Sequence, residues 1–107
     1  MDKDTAQKLA QSLTADSADI IPFLPYLLQD LWELGSSPEE MLALLRQNVT
    51  VFPGFAALDL GCGKGAVSVA LASRLGIRCK GIDIMEDFIR TAKQKAAEYG
   101  VSHLCEF

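Results

Sequence analysis

One short segment, residues 58–65, constrains the fold of this chain more than any other. It reads Leu-Asp-Leu-Gly-Cys-Gly-Lys-Gly, so a short apolar run passes directly into three spaced glycines. Residues 66–75 are then mostly apolar and are followed by Gly76, a common helix stop. Glycine permits positive φ and lets a ligand approach the backbone, and the start of a helix offers unpaired N–H groups. The segment therefore predicts a β-strand, a ligand-binding turn and an α-helix.

A second strand and helix follow the first pair. Residues 77–83 predict a strand, residues 86–99 predict a helix that ends at Gly100, and residues 104–107 predict the start of a third strand. Strands that alternate with helices form a parallel sheet with right-handed crossovers. The predicted fold class is α/β: a three-layer Rossmann-like parallel sheet, of which this chain holds about three strands.

The first half of the chain is helical in pattern. Residues 4–14 predict a weak amphipathic helix. The leucines of residues 25–34 predict the main helix, with a proline in its first turn and Gly35 at its end. Ser37, Pro38 and Glu40 form a capping box that predicts the start of another helix.

The change of pattern falls at Pro53-Gly54. We therefore expect a helical cap or lid segment over residues 1–52 and a truncated sheet domain over residues 53–107. A complete seven-stranded sheet needs roughly 170 residues at average element and loop lengths. We therefore expect the sheet to be partial and the first strand, residues 56–60, to present an open edge.

Charge and cysteine content limit the function classes. Residues 1–55 hold three basic and eight acidic side chains, whereas residues 56–107 hold seven basic and six acidic ones. An acidic front half argues against binding of a phosphate backbone there. The three cysteines, without a Cys-x-x-Cys pair, predict no metal site and no disulfide framework. Reduced thiols, a polar N-terminus without a signal peptide and the lack of an ~18-residue apolar span predict a cytoplasmic protein without membrane contact.

Two ligand classes fit the glycine turn. Residues 61–66 satisfy G-x-G-x-x-G/A, the pattern of dinucleotide-binding turns. S-adenosylmethionine (SAM) is the other candidate, and Asp59 favours it, because a carboxylate there repels a pyrophosphate but suits an ammonium and a sulfonium. Asp83 closes the second strand beside this turn, where a carboxylate can accept hydrogen bonds from ribose hydroxyls. Ile84 follows it and could pack on an adenine face.

Residues 58–65, together with Gly-Ile-Asp-Ile at residues 81–84, resemble the first motif and the acidic second-strand motif of class I SAM-dependent methyltransferases. The resemblance covers roughly residues 55–107. It implies that the glycine turn contacts the methionine part of SAM and that the second-strand acid binds the ribose. The cofactor-binding residues it implies are Asp59, Gly61, Cys62, Gly63, Gly65, Asp83 and Ile84. A further family aspartate after the third strand, and substrate-facing residues after the fourth, have no counterpart in these residues.

The expected function is SAM binding by the front part of a methyltransferase, inactive on its own. No catalytic residue is identified, Cys62 is interpreted as a small loop residue, and Lys64 as a solvated side chain. The methyl acceptor is expected to be a small molecule rather than a nucleic acid. The open strand edge suggests a homo-oligomer through that edge or, alternatively, an N-terminal helix folded over it. A nicotinamide-dependent oxidoreductase fragment and a non-catalytic SAM-binding module are the alternatives.

Overall fold

The computed structural model describes residues 1–12, 18–52 and 54–107. Its contacts group the chain into two compact units, Met1–Leu31 and Trp32–Phe107. The elements in chain order are helix α1 (Lys3–Ser12), a 3₁₀ helix (Ala18–Phe23), helix α2 (Leu24–Leu27), helix α3 (Pro38–Asn48), strand β1 (Ala56–Leu60), helix α4 (Ala66–Leu75), strand β2 (Arg78–Ile82), helix α5 (Glu86–Glu98) and strand β3 (Cys105–Glu106). None of the helices formed by these residues is long and apolar enough to cross a bilayer.

The first unit is a short helical segment. The carboxylate of Asp2 accepts a 2.7 Å hydrogen bond from the Thr5 N–H and so satisfies a donor in the first turn of α1. Ala10 and Ile21 are its buried apolar residues within the described part. The predicted helix over residues 4–14 is thus observed as Lys3–Ser12, and its last two residues lie outside the described residues.

The helix predicted over residues 25–34 is wrong in extent. Helix α2 covers only Leu24–Leu27, and after the turn at residues 28–30 no helix forms before Pro38. The leucine spacing suggested a buried stripe, but Leu27 and Leu31 are 56% and 50% exposed. A longer helix would bury little apolar surface here, and isolated short helices are marginal in water.

The second unit holds a three-stranded parallel sheet in the order β1-β2-β3. Ala56 is the register partner of Arg78, Leu60 that of Ile82, and Cys79 on β2 that of Cys105 on β3. Helices α4 and α5 connect consecutive strands. The predicted α/β class, a partial Rossmann-like sheet after helices, is confirmed.

Helices cover one face of this sheet. Side chains from α3, α4, β2 and the residue before β2 form a buried cluster of Leu42, Leu71, Ile77 and Cys79. A second cluster joins α4 to α5 and the segment after it through Val69, Ala72, Ala96 and Val101. The predicted cap of α3 is present, since the Ser37 hydroxyl accepts a hydrogen bond from the Glu40 N–H at 3.3 Å.

The opposite face of the sheet is exposed in the described residues. It carries Leu58 and Leu60 on β1 and Ile82 on β2, which are 59%, 72% and 47% exposed. These three residues are called the open face below. The described part of the chain therefore provides two of the three layers of the predicted architecture.

Candidate functional site

The predicted site residues gather at the carboxyl ends of β1 and β2. The glycine loop, residues 61–65, joins β1 to α4, and Asp83 follows directly after β2. The Cys62 N–H donates a 2.9 Å hydrogen bond to the Ile82 carbonyl, which ties the loop to the neighbouring strand. The Gly65 N–H donates to the Cys62 carbonyl at 2.9 Å and closes the turn before the helix. The loop is therefore a fixed turn at the end of the sheet where parallel α/β folds bind ligands.

The first and third glycines of the loop differ in their surroundings. Gly61 has φ +68°, and a Cβ there would meet no heavy atom within 4 Å, so its side of the loop is open. Gly65 has φ +81°, and a Cβ there would lie 2.9 Å from Ala92 Cβ and 3.0 Å from Phe107 Cζ. Gly61 thus leaves room for a ligand, whereas Gly65 lets α4 pack closely against α5 and the last residue.

The middle glycine lies beneath a side chain from the segment before α3. Gly63 has φ +57°, and a Cβ there would lie 3.2 Å from Leu34 Cδ1. Sequence reasoning alone assigned the space beside this glycine to a ligand. The structure instead places Leu34 there, so part of the loop is covered by the chain itself.

Asp83 binds the loop directly. Its Oδ2 accepts a 2.9 Å hydrogen bond from the Gly63 N–H, and its Oδ1 accepts one of 2.9 Å from the Met85 N–H. A carboxylate offers about four lone-pair sites, so two remain for further donors. Asp83 is half-buried, and the neighbouring Ile84 is 51% exposed. A sugar with two hydroxyls could therefore bind Asp83 without displacing the loop.

The second carboxylate of the site, Asp59, points toward α4. Its Oδ2 accepts a 2.7 Å hydrogen bond from the Ser68 hydroxyl, which is fully buried. This hydrogen bond orients Asp59 one residue before the end of β1. Two carboxylates, Asp59 and Asp83, thus give the loop region a negative character on its strand side.

The thiol of Cys62 is buried, and the charges of both acids act on it. Burial, and after it the charges of Asp59 and Asp83, together raise its pKa from 9.0 to about 12. A thiol with this pKa carries almost no thiolate at neutral pH and is a poor nucleophile. Cys62 is therefore a small buried loop residue, in keeping with its interpretation from the sequence.

Sequence reasoning was wrong on Lys64 and missed the contact of Phe107 with the loop. Lys64 was expected to be solvated but is only 6% exposed. Phe107 packs against the loop, and a Cβ at Gly81 would lie 2.7 Å from Phe107 Cδ1 and 2.9 Å from Cys62 Sγ. A glycine inside an apolar strand often marks such a close approach, so Gly81 was the available signal.

Comparison with known proteins agrees with this arrangement. A sequence profile of the methyltransferase domain family matches residues 52–107, slightly more than half of the chain. Nocamycin O-methyltransferase from Saccharothrix syringae is 45% identical over 51 residues, covering 46% of this chain and 18% of that protein.

Two solved structures share the fold. A SAM-dependent methyltransferase from Geobacter sulfurreducens, in complex with S-adenosyl-L-homocysteine, superposes with a TM-score of 0.69 at 30% identity, over 80% of this chain and 34% of that one. An RNA methyltransferase from Salinibacter ruber, in complex with the same compound, gives a TM-score of 0.61 at 31% identity, over 69% of this chain and 48% of that one.

The chain belongs to the methyltransferase domain family, as the glycine turn and the second-strand acid predicted. It spans between 18% and 43% of the length of the curated relatives it matches. The family match gives no support to the nicotinamide-dependent alternative.

Proposed function

We propose that this chain is the cofactor-binding part of a SAM-dependent methyltransferase. The observation that carries the proposal is the glycine loop with its open side at Gly61, joined to the Asp83 carboxylate at the same end of the sheet. The open side leaves the backbone accessible, and the carboxylate retains two lone-pair sites for ribose hydroxyls. In this proposal Asp83 binds the ribose, Ile84 contacts the adenine, and the loop takes the amino-acid end.

The charges of the site support SAM over a dinucleotide. SAM carries an ammonium and a sulfonium, and both are favoured near the carboxylates of Asp59 and Asp83. A pyrophosphate brought to the loop would be repelled by the Asp59 carboxylate. The carboxylate of SAM would take N–H groups of the loop at the start of α4.

SAM supplies an electrophilic methyl group, and the protein's task is to align it with a nucleophile. The residues described here bind and orient the cofactor in this proposal. No residue of the chain is assigned as a general base, and methyl transfer belongs to the proposal for the whole protein. A non-catalytic SAM-binding module would bind the cofactor with the same residues and would differ from a methyltransferase only in lacking a methyl acceptor.

Calorimetry with S-adenosylhomocysteine and with NAD⁺ tests the proposal on the 107-residue chain. We expect saturable binding of S-adenosylhomocysteine and none of NAD⁺ at the same concentrations. Tighter binding of NAD⁺ would refute the proposal. Transfer of a radiolabelled methyl group by the whole protein, to a small-molecule fraction or to RNA, would then separate an enzyme from a binding module.

We propose a small molecule rather than a nucleic acid as the methyl acceptor of the whole protein. The acidic balance of residues 1–55 opposes a phosphate backbone. The name of the nocamycin relative supports a small acceptor, and that of the Salinibacter neighbour supports RNA, so the labelling experiment decides between them. We also propose a cytoplasmic location, supported by three free thiols. Fractionation of cells that produce the protein tests the location.

We further propose that β1 pairs with β1 of a second copy. Within the described residues β1 is hydrogen-bonded to a strand on one side only, and its exposed side chains are the apolar Ala56, Leu58 and Leu60. Edge strands of monomers usually carry a charge or proline that blocks such pairing. The only charge on β1, Asp59, is bound by Ser68, toward the helices. Antiparallel pairing centred on Leu58 would be self-complementary.

A further inference from the structure

The hydrogen bond from the Gly63 N–H to Asp83 Oδ2 joins two elements that are 20 residues apart in the chain. We propose that Asp83 is a positioning residue for the glycine loop, in addition to its role as a ribose ligand. It holds the Gly63 peptide in place before any cofactor arrives. The role of Asp83 as a ribose ligand rests on the proposed function, whereas its role in positioning the loop does not.

The carboxylate is itself held in place. Its other oxygen accepts from the Met85 N–H at 2.9 Å, at the position that caps α5. The Cys62 N–H donates a hydrogen bond to the Ile82 carbonyl, which connects the glycine loop to the backbone of β2. The carboxylate thus forms a rigid bridge between the start of α5 and the centre of the loop.

Gly63 needs this acceptor. It is buried and has φ +57°, so its peptide lies in a left-handed turn within a crowded loop. A buried N–H without an acceptor is costly, and a charged acceptor gives the stronger bond. Without the carboxylate, the Gly63 N–H would have to bind water, or the peptide would have to rotate. The amides that face the amino-acid end of the cofactor would turn with it.

The consequence is that the two halves of the cofactor site are coupled through one side chain. If Asp83 contacted only the ribose, its loss would weaken the binding of adenosine compounds and leave methionine binding unchanged. If it also positions the loop, its loss weakens both. Asn at this position keeps one acceptor oxygen without the charge, so it should restore part of the loop order.

Hydrogen exchange of the Gly63 amide, measured by NMR on the ligand-free chain, tests the positioning role without any cofactor. We expect Asp83→Ala to speed exchange of this amide at least about tenfold, and Asp83→Asn to speed it less. Asp87→Asn is the matched control, since this carboxylate lies in the first turn of α5 and pairs with exposed Arg90. The amide of buried Cys79 on β2, which donates to the Leu104 carbonyl at 2.9 Å and not to the loop, reports whether a variant is folded.

Ligand titrations complete the test. We expect Asp83→Ala to weaken the binding of both methionine and 5′-methylthioadenosine. We expect Asp83→Asn to recover methionine binding more than methylthioadenosine binding. Unchanged Gly63 exchange in a folded Asp83→Ala chain would overturn the positioning role, as would loss of methylthioadenosine binding alone. If the unaltered chain binds none of these ligands, the proposed function fails, and Gly63 exchange still decides the positioning role.

Discussion

The Ser68 hydroxyl donates a 2.7 Å hydrogen bond to Asp59 Oδ2 and thereby joins α4 to the end of β1. Ser68 is fully buried, and a serine on the sheet-facing side of a helix would usually be replaced by an apolar residue. The bond explains its presence, because a half-buried carboxylate requires a donor. Asp59 therefore has a fixed orientation beside the loop in the absence of any ligand.

Ser68→Ala should lower the free energy of unfolding by about 1–2 kcal/mol, because it removes a donor to a partly buried carboxylate. It should also weaken S-adenosylhomocysteine binding, since Asp59 loses its orientation. Urea denaturation and calorimetry measure the two effects. Ser73→Ala is the control, because Ser73 lies on the same helix with an exposed hydroxyl. Alanine favours a helix more than serine does, so Ser73→Ala should not destabilise the chain. Equal losses in both variants would show that the loss does not come from the hydrogen bond to Asp59.

Gly63→Ala should destabilise the chain more than Gly61→Ala. Both glycines have positive φ, which costs a residue with a Cβ about 1–2 kcal/mol. Only at Gly63 would the new methyl also press on Leu34. The additional loss should shrink when Leu34→Ala is combined with Gly63→Ala, as urea denaturation of the four variants would measure. An equal loss at both glycines would mean that Leu34 does not constrain the loop.

Cys62 should resist alkylation in the folded chain. Its pKa is about 12 instead of 9.0, so at pH 8 its thiolate fraction is about a thousandfold below that of a free thiol. Mass spectrometry after iodoacetamide treatment, with and without urea, measures the protection site by site. Rapid labelling of Cys62 in the folded chain at pH 8 would contradict the burial of this thiol.

The same raised pKa has a consequence for stability. Folding favours the protonated thiol, so the contribution of Cys62 is fully present below about pH 9 and is lost as pH rises toward 12. The Cys62→Ala variant should therefore lose less stability between pH 8 and pH 10 than the unaltered chain, when each is compared with its own value at pH 8. Urea denaturation at both pH values measures this.

The sequence predicted the parts of the fold that depend on local signals. The strand at residues 56–60, the glycine loop and the capping box before α3 each carry their cause within a few residues. The predicted helix over residues 25–34 is wrong, because a leucine pattern shows which side chains could be buried. It does not show whether other elements pack against them. Leu34 in fact lies against Gly63.

Contacts between distant residues were beyond sequence reasoning. Parallel pairing brought Asp83 near the loop in the prediction, but nothing in the residues showed that its carboxylate accepts from Gly63. The burial of Lys64 likewise depends on how the loop packs rather than on its neighbours in the chain. The hydrogen bond joins residues that are 20 positions apart, so only the folded chain shows it.

Pairing of β1 between two copies gives the last prediction. Light scattering after size exclusion should show a concentration-dependent dimer, since β1 offers unpaired N–H and C=O groups beside the apolar open face. Leu58→Lys should shift the chain toward monomer, because antiparallel pairing centred there would place two ammonium groups against each other. Leu44→Lys is the matched control, since Leu44 is 54% exposed and lies on α3 rather than on a strand. An unaltered chain that stays monomeric up to millimolar concentration, or a Leu44→Lys chain that dissociates as Leu58→Lys does, would exclude this pairing.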